Sequence, residues 1–172
     1  MFRNSIVPIT AGVMLALAGS AQAAGSKTAQ FAVNANVASN CFISTTPVAF
    51  GAYDGTAAID SNGSVVVRCS KNAGYQIALD AGTTSGANLG QRLLAGPLGE
   101  TLQYNLYIDS LVTAPIWGNN AGGTGWVTGT GGGLGLANQV THTVYGRLPN
   151  NAVNQGAGVG AYSDLITATI TY

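Results

Sequence analysis

Residues 163–172 read Ser-Asp-Leu-Ile-Thr-Ala-Thr-Ile-Thr-Tyr. Ile166, Ala168, Ile170 and Tyr172 alternate with Thr167, Thr169 and Thr171. A two-residue period puts alternate side chains on opposite faces, so the stretch is expected to be a β-strand with one buried face. The sequence ends on this strand. A small all-β domain whose last strand is its last segment is either complete or lacks an edge that another chain must supply. That choice governs the functional reading.

The first 23 residues are expected to lie outside the folded domain. Arg3 supplies a short positive region, Ile6 to Ala18 is an apolar run broken only by Pro8, Thr10 and Gly12, and Ala21-Gln22-Ala23 is a small-x-small cleavage site. Together they form a secretory signal peptide. A membrane anchor fits less well, because the apolar core is about 13 residues where a span needs about 20. Cleavage of 23 of the 172 residues leaves 149, enough for one domain with a real core. Export also bears on the two cysteines, Cys41 and Cys69, since an oxidising compartment favours their pairing. Closing that loop contributes on the order of 3 to 4 kcal/mol in the chain-entropy description.

Charge is scarce. Beyond residue 23 the basic residues are Lys27, Arg68, Lys71, Arg92 and Arg147, against six acidic ones, with no basic run. Nucleic-acid binding and attraction to anionic lipid both rest on clustered Lys and Arg, so neither is expected. Low charge with 47% hydrophobic residues argues against disorder and suits a protein packed against copies of itself.

No helix of usable length is expected after the leader. Phe31, Val33, Ala35 and Val37 alternate with smaller or polar residues and read as a strand leading to Cys41. A short strand is expected at Val48–Phe50. Gly51 to Gly63 contains the turn-forming pairs Asp54-Gly55 and Asn62-Gly63. Val65, Val67 and Cys69 share one strand face, Tyr75, Ile77 and Leu79 another, and Leu102, Tyr104, Leu106 and Ile108 a third. Ala81 to Gly90 is a loop. The glycine-dense stretch from Gly118 to Gly135 suits no regular core strand throughout, though Trp126-Val127 fits a short one. Val140, His142, Val144 and Gly146 alternate, and Asn150 to Gly160 is a turn-rich loop. Short strands separated by turns favour a sandwich or barrel in one domain.

Catalytic, cofactor and metal signatures are absent from the sequence. His142 is the single histidine and has no partner placed by a motif. Asp54 and Asp60 lack the spacing of a calcium loop. Trp117, Trp126, Tyr104, Tyr107 and Tyr145 could be arranged as a sugar platform, but core and sheet positions are the simpler reading. Asn62-Gly63-Ser64 matches a glycosylation sequon.

Several stretches then fall in a recognisable order: Ala38-Ser39-Asn40-Cys41, Phe50-Gly51-Ala52-Tyr53-Asp54, Val65-Val66-Val67-Arg68-Cys69, Leu102 to Asp109, Trp117-Gly118, Val144 to Pro149, and Gly160 to Asp164 followed by the last strand. In this order the chain resembles the spore coat U domain family, which includes subunits of archaic chaperone–usher pili of the Csu type. The glycine-rich insert at Gly131–Gly135 departs from the family's pattern. The resemblance implies an all-β, incomplete immunoglobulin-like β-sandwich with six strands encoded and the last strand missing. Donor-strand exchange completes such a domain: a periplasmic chaperone lends a strand, and at the outer-membrane usher the N-terminal segment of the next subunit replaces it. The partners implied are copies of the chain or related subunits head to tail, the chaperone and the usher, with the fibre serving adhesion and biofilm formation at the cell surface.

The implied organisation is a signal peptide over 1–23, a donor segment over 24–37 and a pilin domain over 38–172. The residues themselves leave open whether 30–37 is the domain's own first strand or a donor; the resemblance favours a donor using Phe31, Val33, Ala35 and Val37. It places Ile166, Ala168, Ile170 and Tyr172 along the acceptor groove. A secreted coat or matrix protein and a minor, surface-binding pilus subunit are the competing readings, and an enzyme is a distant third.

Overall fold

The computed structural model describes residues 24–112 and 115–172. The expected signal peptide, 1–23, lies outside the described residues. The chain divides into two units at Ala35–Asn36. Within the first, residues 24–35 form no secondary structure, and Phe31 and Val33 are 87% and 84% exposed. The strand expected over 31–37 is therefore not formed: alternation supplies a face, but a strand also needs a backbone partner, and these residues pair with none.

The second unit, 36–172, is all-β among its described residues. Its strands are β1 (Cys41–Thr46), β2 (Ile59–Cys69), β3 (Gly74–Leu79), β4 (Arg92–Ala95), β5 (Thr101–Tyr107), β6 (Val127–Thr130), β7 (Val140–Leu148) and β8 (Ala168–Thr171), with one helical turn, α1 (Ala152–Gln155), between β7 and β8. Eight strands among the described residues replace the six implied by the resemblance, because β4 and β6 are separate four-residue segments. One sheet has the order β1-β2-β7-β5-β4 and the other β6-β3-β8; the pairs within the named strands are antiparallel.

The core lies between the sheets. Val65, Val67 and Cys69 of β2, Tyr104 and Leu106 of β5 and Val144 of β7 meet Tyr75, Ile77 and Leu79 of β3. These are the alternating faces read from the sequence. Trp117 fills the space between them and ties it to β3, donating its indole N–H to the Ile77 carbonyl at 2.9 Å. Cys41 and Cys69 are disulfide-bonded and form the first register pair of β1 with β2.

Two expected boundaries move. Asn62-Gly63 is not a turn but part of β2, where Gly63 faces Val144 across the ladder. A Cβ there would stand 2.6 Å from the Thr46 carbonyl oxygen, so glycine lets the chain leaving β1 cross close over β2. Val48–Phe50 forms no strand; the segment crosses β7 instead and packs on Gly146, whose built Cβ would lie 2.6 Å from Val48 Cγ1.

Candidate functional site: an open seam between the sheets

Among the described residues, β1 is the outer strand of the larger sheet and pairs only with β2, and β8 is the outer strand of the smaller sheet and pairs only with β3. Their relative direction follows from the register. Cys41 pairs with Cys69, the chain then turns into β3 at Gly74, and Gln76 of β3 pairs with Thr171. The start of β1 therefore lies at the end of β8, and the two edges run in opposite directions along one seam.

Burial changes abruptly at this seam. On β1, Cys41, Ile43 and Thr45 point to the same face as their partners Cys69, Val67 and Val65, each 1% exposed. Ile43 is nonetheless 37% exposed. On β8, Ile170 and Ala168 face inward opposite Ile77 and Leu79, which are fully covered, yet both stay half-buried. The second strand from each edge is sealed and the edge itself is not, which is the pattern of a sandwich open along one side.

The opening is a cavity of about 270 Å³ walled by Thr45, Val48 and Phe50 on one side and Ile166 and Ala168 on the other, over Leu106 and Val144. It shares Val48, Phe50, Leu94 and Asp164 with a larger cleft of about 810 Å³ between residues 48–55 and 154–164. The groove thus extends well beyond β1 and β8 themselves.

Polar ties fix the β8 wall. Ser163 bridges to Ala95 in the larger sheet, and the chain then crosses to the smaller one. During the crossing the Asp164 carboxylate accepts hydrogen bonds from Tyr104 Oη at 2.7 Å and from the N–H groups of Thr83 at 2.9 Å and Thr84 at 3.2 Å. Burial pushes Asp164 toward the neutral acid, but the Tyr104 hydroxyl and the Thr83 N–H group act the other way and its pKa lies below the ordinary value. Burial, followed by the Asp164 carboxylate, drives the Tyr104 phenol well above its usual range. Asp80 accepts from the Thr167 N–H at 2.9 Å and so aligns the entry into β8.

Of the residues read from the sequence, Ile166, Ala168 and Ile170 lie together on the inner face of this wall. Tyr172 follows the end of β8 and is half exposed. Phe31, Val33, Ala35 and Val37 are all exposed and belong to no strand. The facing wall, Ile43, Thr45, Val48 and Phe50, was not read as part of a groove. Its signal was present: the inward alternation of Cys41, Ile43 and Thr45 matches that of β8.

The other sequence candidates serve the fold. Trp117 and Tyr104 are core, and Trp126 sits apart at the start of β6. His142 Nε2 lies 3.0 Å from the Tyr75 hydroxyl, and burial lowers its pKa. Asp60 forms an ion pair with Arg147 at 2.7 Å. Among the described residues no group of three or more His, Cys, Asp or Glu side chains could hold a metal.

The profile of the Spore Coat Protein U domain matches residues 27–169, which is most of the chain and takes in every strand of the sandwich up to β8. The chain belongs to the Spore Coat Protein U domain family. Among solved structures, this spore coat U domain protein is similar to a chain in the complex of CsuC and CsuE, a chaperone–tip adhesion subunit pre-assembly complex from the archaic chaperone-usher Csu pili of Acinetobacter baumannii. The TM-score is 0.55 at 18% identity, covering 79% of this chain and 40% of that one. A second likeness, to a chain from a chaperone–tip adhesin complex of CFA/I fimbriae, has a TM-score of 0.37 at 14% identity, over 77% of this chain and 42% of that one, too low to establish a shared fold. The spore coat U domain protein therefore spans about two fifths of the solved chains it matches. No curated protein matches it.

Proposed function

We propose that this spore coat U domain protein is a structural subunit of a chaperone–usher pilus, exported through the periplasm and displayed at the cell surface. In this reading the N-terminal segment of one copy enters the seam between β1 and β8 of the next. The observation that carries it is the seam: Ile43 and Ile170 face the core and remain partly uncovered, while Val67 and Ile77 beside them are sealed. One inserted strand would meet both needs, pairing with the exposed backbone edges and covering the inner faces. The fold likeness to a chain from Csu pili and the family membership support the same reading.

Residues 31–37 have the complementary pattern. Phe31, Val33, Ala35 and Val37 would point into the groove, and burying them contributes roughly 4 to 8 kcal/mol before ordering costs. Groove and donor are different surfaces of one molecule, so the contact is head to tail and builds a filament instead of closing into a dimer. Before assembly the periplasmic chaperone would fill the groove, and the outer-membrane usher would mediate the exchange.

The test is Phe31→Asp in the full chain expressed with and without its chaperone. Expected is a folded protein that still forms a one-to-one chaperone complex and no longer polymerises. Normal fibres from this variant would sink the assignment of the donor.

A further inference from the structure

The groove has two ends, and they differ in charge. At the root end, residues 36–40 lead into Cys41, and the loop from 131 to 136 lies beside the end of β2: Gly131 N–H donates to the Ala73 carbonyl and Gly133 N–H to that of Cys69. At the far end, the turn 96–100 meets the segment 157–163, where Glu100 accepts from the Gly158 N–H at 2.9 Å and the Tyr162 hydroxyl at 3.0 Å. Residues 38–46, 64–76, 128–142 and 168–172, which form the root half, contain Arg68 and Lys71 and no acid. Residues 47–60, 92–104 and 147–165, which the register places in the far half, contain Asp54, Asp60, Glu100 and Asp164 beside two arginines, Arg92, which is buried, and Arg147, which pairs with Asp60. Asp60 is matched by Arg147 at the border, while the other three carboxylates accept only neutral donors. The charges left without an ionic partner at the two ends therefore differ in sign, Arg68 and Lys71 at the root against Asp54 and Glu100 at the far end.

Each end also exposes apolar side chains. At the root, Phe42 is half exposed under the Arg68 guanidinium, 5.1 Å from its ring centre, and Leu134 and Leu136 project from the glycine-rich insert, where Arg68 donates to the Leu134 carbonyl. At the far end Leu98 and Val159 are fully exposed at the tips of two turns that touch through Pro97 and Gly160. Leu98 has φ 59°, a left-handed conformation that disfavours leucine. A strained backbone that holds a leucine out in water favours no monomer.

From these two patches we infer a second contact between consecutive copies, body to body: the root patch of one copy seats on the far-end patch of the copy that holds its N-terminal segment. This rests on the pilus-subunit reading and adds to it a defined surface and direction. If a donor entered from the acceptor's root end, two Arg68–Lys71 clusters would meet, at the place where the acceptor's own N-terminal segment leaves. Entry from the far end brings Arg68 and Lys71 toward Asp54 and Glu100, covers Leu98 and Val159, and leaves the acceptor's root free for the next joint. Exposed charges of this kind orient the encounter, and the apolar residues supply the contact. The insert at Gly131–Gly135 gains a role, carrying Leu134 and, directly after it, Leu136 to the joint.

The experiment is a double variant, Leu98→Cys with Leu136→Cys, assembled into polymers and then oxidised. Two free thiols per chain before oxidation show that the native disulfide is intact; if that count fails, Val159→Cys with Leu134→Cys takes its place. Expected is a covalent ladder on boiled, non-reducing gels from the double variant, and monomer from either single variant. Polymers that form but boil down to monomer overturn the body contact and leave strand insertion standing. A wild-type chain that forms no polymer at all overturns strand insertion and this contact with it.

Discussion

Arg92 is a cation with no exposed surface that forms no ion pair among the described residues. Its guanidinium donates to the carbonyls of Asp80 and Trp117 and to Asn105 Oδ1, at 2.7 to 2.9 Å. It is the point where β4, β5, the loop after β3 and the segment bearing Trp117 are held together, so its charge is spread over fixed carbonyl dipoles. Arg92→Leu removes the guanidinium and leaves those buried acceptors without donors, and is expected to cost about 3 kcal/mol or more. A urea midpoint equal to that of the wild type would show the network to be dispensable. Asp164 is the second residue of this kind. Its folded pKa is depressed, so the unfolded chain binds the proton first as pH falls. The stability it contributes is full above the ordinary carboxylate value and is lost as pH drops through the lower folded value. Asp164→Asn should lower the melting temperature at pH 7 and flatten its fall on the acid side; an unchanged acid slope in a melting series from about pH 2 to 7 would assign that slope to other carboxylates.

The groove walls depend on how closely elements approach one another. Gly146 of β7 lies under Val48 and Phe50, and a built Cβ would be 2.6 Å from one and 3.0 Å from the other. Gly146→Val should push this wall outward, costing roughly 1 to 3 kcal/mol as overpacking does, and on the proposed pilus-subunit reading polymer yield should fall several-fold while the chaperone complex persists. Equal yield by unheated gel electrophoresis would place the wall elsewhere. The same spacing explains what the sequence could and could not convey. The faces of β2, β3, β5 and β7 were legible because one side of each is fully buried and the two-residue period is clean. β4 was not: it is four residues long and begins with a buried arginine, which reads as surface. Asn62-Gly63 is a turn pair by composition, and only the crossing chain at Thr46 shows why glycine stands inside β2. The β8 wall was visible as alternation. The opposite wall was hidden because Val48 and Phe50 sit in irregular backbone and meet the groove only through tertiary packing. Residues 31–37 were read as a strand from pattern alone, and pattern does not supply a partner.

At the scale of the whole molecule, formal net charge is zero and the described sandwich leaves part of its inner face uncovered. Neither property favours a lone soluble copy, and whatever fills the seam covers the inner face. Filling it is a binding equilibrium, so it must raise stability by mass action. On the proposed function, a chain carrying Phe31→Asp keeps its groove and loses a competent donor, which separates the two halves of the proposed joint. Adding a synthetic peptide of residues 24–37 with the natural sequence should then stabilise that chain by about 2.7 kcal/mol at a hundredfold excess over the dissociation constant, or roughly 5–10 °C in melting temperature. The same peptide carrying Phe31→Asp should do far less, because the largest apolar side chain of the segment has been replaced by a charge that the groove cannot solvate. On the wild-type chain the natural peptide should compete with intact donors and shorten the polymers. If both peptides shift the melting temperature equally, the alternation of Phe31, Val33, Ala35 and Val37 is not what the seam recognises, and the donor must be sought in another chain.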